Sequence, residues 1–299
     1  MVYILNTFRW TPDQFDNLHP TVAIMGYFHG SVVPDAEQEV QDRFPKSEGY
    51  FDSKATFETV TDCYDAYELA VNKSSSSFDG KYLLAIGGTE VPVYCDMSEG
   101  GWTLIHRHGA DMLQFPTERA KYIDQFGDGV TKSHWLGLAN MNTLTKAKDY
   151  ELRIDLETCG ESGGDNVRNY IVYDSFKVED GPDYKLTLTF SYDKLRNPPG
   201  DSLYDPLYMV DPEKKDPSND PLSQLSQPFS VDSANPNGGW WLNKLSENKF
   251  NMANLNGNID EKCASNWPTS GMFWNMWIGV KQSMLSAEMK IRPKNAVDY

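Results

Sequence analysis

The chain has 299 residues, 39% of them hydrophobic and eight of them tryptophan, which is enough to bury a full core and supports one large domain plus an extension. Its 43 acidic residues outnumber 27 basic ones and leave a net charge of −16. A surface of that sign repels phosphate, which argues against non-specific binding to nucleic acid or to anionic membranes and fits cationic partners, bound metal or simple solubility.

In chain order, residues 1–60 read as an acidic extension of unknown fold. The opening MVYILNTFRWTP lacks the apolar run and small-residue cleavage site of a signal peptide. Residues 21–33 are moderately apolar but contain His29 and Gly30 and are too short to cross a bilayer, so no membrane span is expected. Residues 34–44 suit a short helix. Between Asp35 and Glu68 ten acidic residues stand against Arg43, Lys46 and Lys54, a net of −7 that reads as a solvated face.

Beyond the extension the pattern becomes strand-rich. Residues 102–108 are strand-like and put His106 and His108 on one face. Residues 117–126 read as a helix entered after Pro116, capped by Thr117, burying Ala120, Ile123 and Phe126 and closed by Gly127. A shorter helix is expected over residues 138–144. In residues 150–157, Tyr150, Leu152, Ile154 and Leu156 alternate with Glu151, Arg153, Asp155 and Glu157, the signature of a half-buried strand. Residues 184–191 repeat it, and residues 170–178 and 288–292 are also strand-like.

The four cysteines, Cys63, Cys95, Cys159 and Cys263, form no CxxC pair, so a zinc knuckle or a thioredoxin-like site is not expected and disulfides are the better reading. The even count leaves a Cys159–Cys263 bond and two buried free thiols both open. One glycosylation pattern, Asn-Lys-Ser at Asn72, is present.

Six segments then recur in a recognisable order: DCYDAYELA, VPVYCDMSEGGWTLI, SHWLGLANMNTLT, YELRIDLE, NGGWW with NLNG, and EMKIRP. In that order and at those spacings the chain resembles the fibrinogen C-terminal (fibrinogen-related) domain of fibrinogen chains, ficolins, tenascins and angiopoietins, from about Asp62 to Pro293. The resemblance implies an α+β domain over residues 61–294, with a central mostly antiparallel sheet, short helices and a loop-rich carboxyl-terminal part that binds ligands, followed by a tail at 295–299. It also implies a Cys63–Cys95 disulfide, because these occupy the DC and YCDM positions joined in the family. Closing that loop would contribute about 3 to 4 kcal/mol in the chain-entropy model. An extracellular location is implied too. It conflicts with the lack of a leader, which favours a mature or trimmed chain or a fragment over retention inside the cell.

The ligand region departs from the family pattern. After PFS the chain reads VDSANPNGGWW, where Asp232, Ser233 and Asn235 offer one carboxylate. Calcium prefers several hard anionic oxygens, so weak binding or none is expected and no cofactor is assigned. The upstream insertion DPEKKDPSND, with Asp211, Glu213, Asp216 and Asp220, matches no calcium loop and reads as solvated surface. The family's cysteine and histidine after the tryptophan pair correspond to Leu245 and Ser246. The ficolin-like acetyl pocket is therefore remodelled, with Trp241, Ser246, Phe250, Phe273 and Trp274 as its candidate lining. The opposing reading places the tryptophans in the core. Asn254 and Asn256 are expected to satisfy backbone groups in a turn.

CGESGG at residues 159–164 matches GxSxG and would make Ser162 a nucleophile. The following YIVYDSFKV reads as strand where a nucleophile elbow needs a helix, and all five histidines precede Ser162, which excludes the hydrolase order. His106, His108 and His134 lack a protease-like setting, and two histidines on one strand do not complete a metal site. The expected function is non-catalytic, extracellular and lectin-like, binding glycans or acetylated surface groups. The alternative is a protein-receptor or matrix-binding module. Oligomers would need the domain surface or a segment outside this chain, because no heptad run is visible.

Overall fold

The computed structural model describes residues 3–5, 60–72, 77–109, 111, 113–127, 132–159, 165–189, 203, 224–231, 238–242, 253–259, 263, 271–278 and 283–297. Three residues of the extension form strand β1 (Tyr3–Leu5). Helix α1 (Cys63–Asn72) is followed by strands β2 (Gly80–Ile86), β3 (Thr89–Asp96) and β4 (Trp102–His108). A 3-10 turn at Arg119–Tyr122 leads to the short strands β5 (Phe126–Gly127) and β6 (His134–Trp135). Helix α2 (Leu138–Ala147) precedes β7 (Tyr150–Thr158), β8 (Val167–Val178) and β9 (Leu186–Thr189). Among the described residues the rest contributes β10 (Ala253–Asn254), β11 (Phe273–Trp274), the single turn α3 (Asn275–Ile278) and β12 (Ser286–Pro293).

One antiparallel sheet runs β1-β2-β3-β4-β12-β7-β8-β9, with β6 paired to β4 and β5 to β6. With its short helices this is the expected α+β architecture. Its register follows from side-chain alternation. In β7, Tyr150, Leu152, Ile154 and Leu156 are buried while the charged residues between them take the other face. Burying each large apolar side chain stabilises the fold by about 1.5–3 kcal/mol, and a one-residue slip would expose the whole set.

The outer face is a lattice of paired charges. Arg107 meets Glu288 at 2.7 Å, Arg292 meets Glu151 at 2.9 Å, and Arg153 meets Asp155 at 2.7 Å. Lys290, only 6% exposed, sits 2.9 Å from Asp96 and 3.1 Å from Asp155. Burial disfavours its charge, but the carboxylates of Asp155 and Asp96 outweigh that and hold its ammonium above the usual lysine range. Arg107, Arg153 and Arg292 also lie over Tyr94, Tyr170 and Trp102.

Helix α1 starts where the sequence supplies a cap. The Asp65 N–H donates to Asp62 Oδ1 at 2.9 Å, and Asp65 Oδ2 accepts from Thr61 N and Oγ1 at 2.9 and 2.7 Å. Asp62 is fully buried and also accepts from Lys148 at 2.9 Å and Tyr150 at 2.7 Å. The helix is bonded to β3 through Cys63–Cys95, with a Cα separation of 5.4 Å. It also lies close to the turn before β4: a Cβ on Gly101 (φ +78) would meet Tyr67 Cβ at 2.7 Å.

Two expected elements differ. The helix over residues 117–126 shrinks to the 3-10 turn, because its carbonyls are taken by tertiary partners. Tyr122 O accepts from Trp135 Nε1 at 2.9 Å, Ile123 O accepts from Ala139 N at 3.1 Å, and Phe126 pairs with Trp135 in β5–β6. The strand expected from residue 184 begins at Leu186. Tyr184 takes a left-handed conformation (φ +49), and its N–H bonds Asp180 O at 3.2 Å. The helix expected over residues 34–44 lies outside the described residues.

Candidate functional site

Among the described residues from Phe229 to Trp277, the stretch singled out for ligand chemistry, individual side chains make more of the contacts than strands do. Ser230 and Trp240 form an isolated antiparallel bridge, each N–H donating to the other's carbonyl at 2.9 Å. The glycines of NGGWW allow the chain to press inward there. A Cβ on Gly238 (φ +77) would meet Asn256 O at 2.2 Å, and one on Gly239 would meet the Phe229 ring at 2.6 Å. Trp240 and Trp241 consequently stack edge-to-face at 5.2 Å, and Trp241 meets Phe229 at 5.3 Å.

Three buried polar side chains fasten this part to the sheet. Tyr122 accepts from Gly239 N at 2.7 Å and donates to Pro116 O at 2.8 Å. Burial drives its phenol well above the ordinary tyrosine value, so it stays neutral. Gln224 accepts from Ala253 N at 3.1 Å and donates to Ala253 O at 2.9 Å and Trp241 O at 3.2 Å. Asn256 donates through Nδ2 to Gly239 O at 2.6 Å, while its Oδ1 faces His106 Nε2 at 2.8 Å. That pattern makes His106 the Nε2–H tautomer.

The three sequence-flagged histidines are all buried. His106 is ringed by Phe115, Trp135 and Trp240 at 5.7 to 6.3 Å. Burial, then the neighbouring His108, push its pKa well below the usual value. His108 places Nδ1 3.1 Å from Leu255 O and Nε2 3.0 Å from Leu113 O, and burial lowers it too. His106 and His108 thus act as struts between β4 and the turn at 255–256. Among the described residues no group of three His, Cys, Asp or Glu side chains is placed to hold a metal.

The expected ligand lining divides in two. Trp241, Phe273 and Trp274 are 0%, 7% and 0% exposed. Trp241 donates to Tyr184 O at 2.7 Å, and β10–β11 pairs Asn254 with Phe273 and Ala253 with Trp274. At these positions the aromatic run is core. Ser246 and Phe250, the calcium donors Asp232, Ser233 and Asn235, the acidic insertion and Ser162 lie outside the described residues. Asn256 N bonds Asn254 Oδ1 at 2.9 Å, a local turn contact. The strut roles of Tyr122, Gln224 and the Asn256–His106 pair carried no periodic signal in the sequence.

Cys159 and Cys263 are also bonded, with a Cα separation of 6.0 Å, so no described cysteine is free. Away from this region, a cleft of about 670 Å³ lies between the start of α1, the α2–β7 turn and the end of β12. Its Lys148 is engaged with Asp62 and Asp65.

Comparison with known proteins fits this architecture. The family model for the C-terminal globular domain of fibrinogen beta and gamma chains matches residues 59–294. Fibrinogen C domain-containing protein 1-B of Xenopus laevis is 32% identical over 78% of this chain and 47% of its own length. Fibrinogen-like protein 1 of Bos taurus is 31% identical over 70% of this chain and 65% of its length. The chain thus spans about half to two thirds of these relatives. Among solved structures, the fibrinogen-like globe domain of human ANGPTL2 superposes with a TM-score of 0.58 at 23% identity, covering 79% of this chain and 99% of that one. A lamprey fibrin D-dimer complexed with the peptide Gly-His-Arg-Pro-amide gives 0.63 at 23% identity, covering 88% and 84%. The chain belongs to the family of fibrinogen C-terminal globular domains.

Proposed function

We propose that this chain is a non-catalytic extracellular recognition domain and that it binds a peptide or protein surface. The observation that carries this reading is that Trp241, Phe273 and Trp274, three of the five residues expected to line an acetyl pocket, are 0%, 7% and 0% exposed. The lamprey relative of the same fold is complexed with a peptide, which supports the same ligand class. An extracellular setting is supported by two disulfides that engage all four cysteines. A non-catalytic role is supported by His106 Nε2, which faces the Asn256 amide oxygen, and by both ring nitrogens of His108, which face backbone carbonyls.

The lectin-like reading is the second. It needs Ser246 and Phe250 to form the acetyl contact without the three buried aromatics, and it needs Asp232, Ser233 and Asn235 to bind calcium if metal is used. A panel carrying both peptides and N-acetylated glycans, probed with calcium and again with chelator, separates the two. Saturable peptide or protein binding that survives chelation is the expected result. Binding confined to N-acetylated glycans and competed by free N-acetylated sugar would reject it. Labelling of Ser162 by a fluorophosphonate would reject the non-catalytic reading.

A further inference from the structure

We propose that the Cys159–Cys263 disulfide is a selectively reducible tie that keeps the carboxyl-terminal part ordered, while Cys63–Cys95 stays closed inside the core. The two bonds differ in surroundings. Cys63 and Cys95 are both 0% exposed and belong to the central apolar cluster. Cys159 is half-buried at the end of β7, and its partner Cys263 is 5% exposed. Thiol–disulfide exchange needs a thiolate to reach a sulfur, so access separates the pairs.

The geometry also assigns the direction of attack. Cys263 Sγ lies 3.1 Å from the Cys159 N–H and 3.9 Å from Thr158 Oγ1. These donors stabilise negative charge on Cys263, which makes it the leaving group when a thiolate attacks Cys159. The first thiol of a small dithiol reductant forms a mixed disulfide with Cys159 and expels the Cys263 thiolate. Its second thiol, as thiolate, then closes the reductant's own disulfide and expels the Cys159 thiolate. The protein gains two electrons and two protons as a pair of thiols, and the dithiol is oxidised.

What the tie holds follows from a chain of contacts. Cys263 O accepts from Ser283 N at 2.9 Å, Met284 N donates to Met272 O at 2.7 Å, and Met272 N donates to Asn258 O at 2.9 Å. Met272 leads directly into β11, which pairs with β10 and so reaches Asn254 and the turn holding Asn256. Opening the bond frees the Cys263 end of that chain, while β7, β8 and β12 keep their own ladders.

The test uses the intact chain in native buffer, titrated with dithiothreitol. Free thiols are alkylated and located by mass spectrometry, and amide exchange is followed in parallel. Cys159 and Cys263 should be alkylated at reductant concentrations that leave Cys63 and Cys95 unlabelled. Amides of residues 253–259, 271–278 and 283–285 should exchange at least about tenfold faster, while those of β2, β3, β7 and β8 keep their rates. Simultaneous labelling of all four cysteines, or no labelling of Cys159 before the sheet is lost, overturns the proposal. An oxidised Cys159→Ser/Cys263→Ser double variant should reproduce the faster exchange, and wild-type exchange in it would also overturn the proposal. None of these readouts uses a ligand, so the outcome is independent of the function proposed above.

Discussion

The sheet and the carboxyl-terminal part solve the same problem of burying backbone polar groups in opposite ways. In the sheet each strand satisfies its neighbours through continuous ladders, so β12 pairs eight residues with β7 and most of its length with β4. In the carboxyl-terminal part the described strands are two residues long, and side chains do the satisfying. Gln224 serves both polar groups of Ala253, Asn256 serves Gly239, and Tyr122 serves the other side of Gly239. A ladder spreads the cost of a lost contact over many bonds. A single amide does not, so the carboxyl-terminal part should be the more brittle of the two.

The strongest test of that contrast is Trp241→Ala, which deletes a fully buried indole and its bond to Tyr184 O. A loss of about 4 kcal/mol is expected, with faster amide exchange concentrated at residues 224–231, 238–242 and 253–259. Lys290→Met probes the sheet instead. It removes the cation between Asp96 and Asp155 and should cost about 3 kcal/mol near neutral pH. In the wild type this lysine's raised pKa gives a contribution that is present below 10.5 and lost as pH rises through the folded value. Both effects are read from urea midpoints.

Gln224→Ala comes next, at about 2 kcal/mol, because it strips partners from Ala253 and Trp241 while removing little apolar surface. A Gln224 variant as stable as wild type would undo the contrast, since it would mean that one amide is not an anchor. The smallest and most general effect is with pH. His106 and His108 are held neutral in the fold, below the ordinary 6.5, so their stabilising share is complete above that pH. Below it the unfolded chain binds more protons, and stability should fall by up to about 1.4 kcal/mol per pH unit for each histidine until the folded value is reached. His106→Asn should flatten that slope between pH 6.5 and pH 5. An unchanged slope would place the acid sensitivity elsewhere.

The sheet was legible in the sequence for the same reason that it is robust. Alternation along β7 and in the Met289 and Ile291 positions of β12 is a local signal, so these strands could be read from the chain itself. Helix α1 left a signal that went unread: Asp62 and Asp65 sit at capping positions in DCYDAYELA. The helix expected at 117–126 had good local credentials and lost to partners far along the chain, Trp135 and Ala139 among them. The carboxyl-terminal part is harder in principle. Nothing about Gln224 or Tyr122 in isolation distinguishes an anchor from a surface residue. The family resemblance located the tryptophan run and left a ligand-lining role and a core role both open for Trp241 and Trp274, which are 0% exposed.

Strand β12 lies at the middle of the sheet, between β4 and β7, although it follows every other described strand in the sequence. During synthesis the chain must therefore hold two facing edges apart, each offering unpaired backbone groups, until residues 286–293 leave the ribosome and close the gap. Until then the facing edges of β4 and β7 are open templates for strands of neighbouring chains. A ribosome stalled before residue 286 would leave β4 and β7 without the strand that joins them.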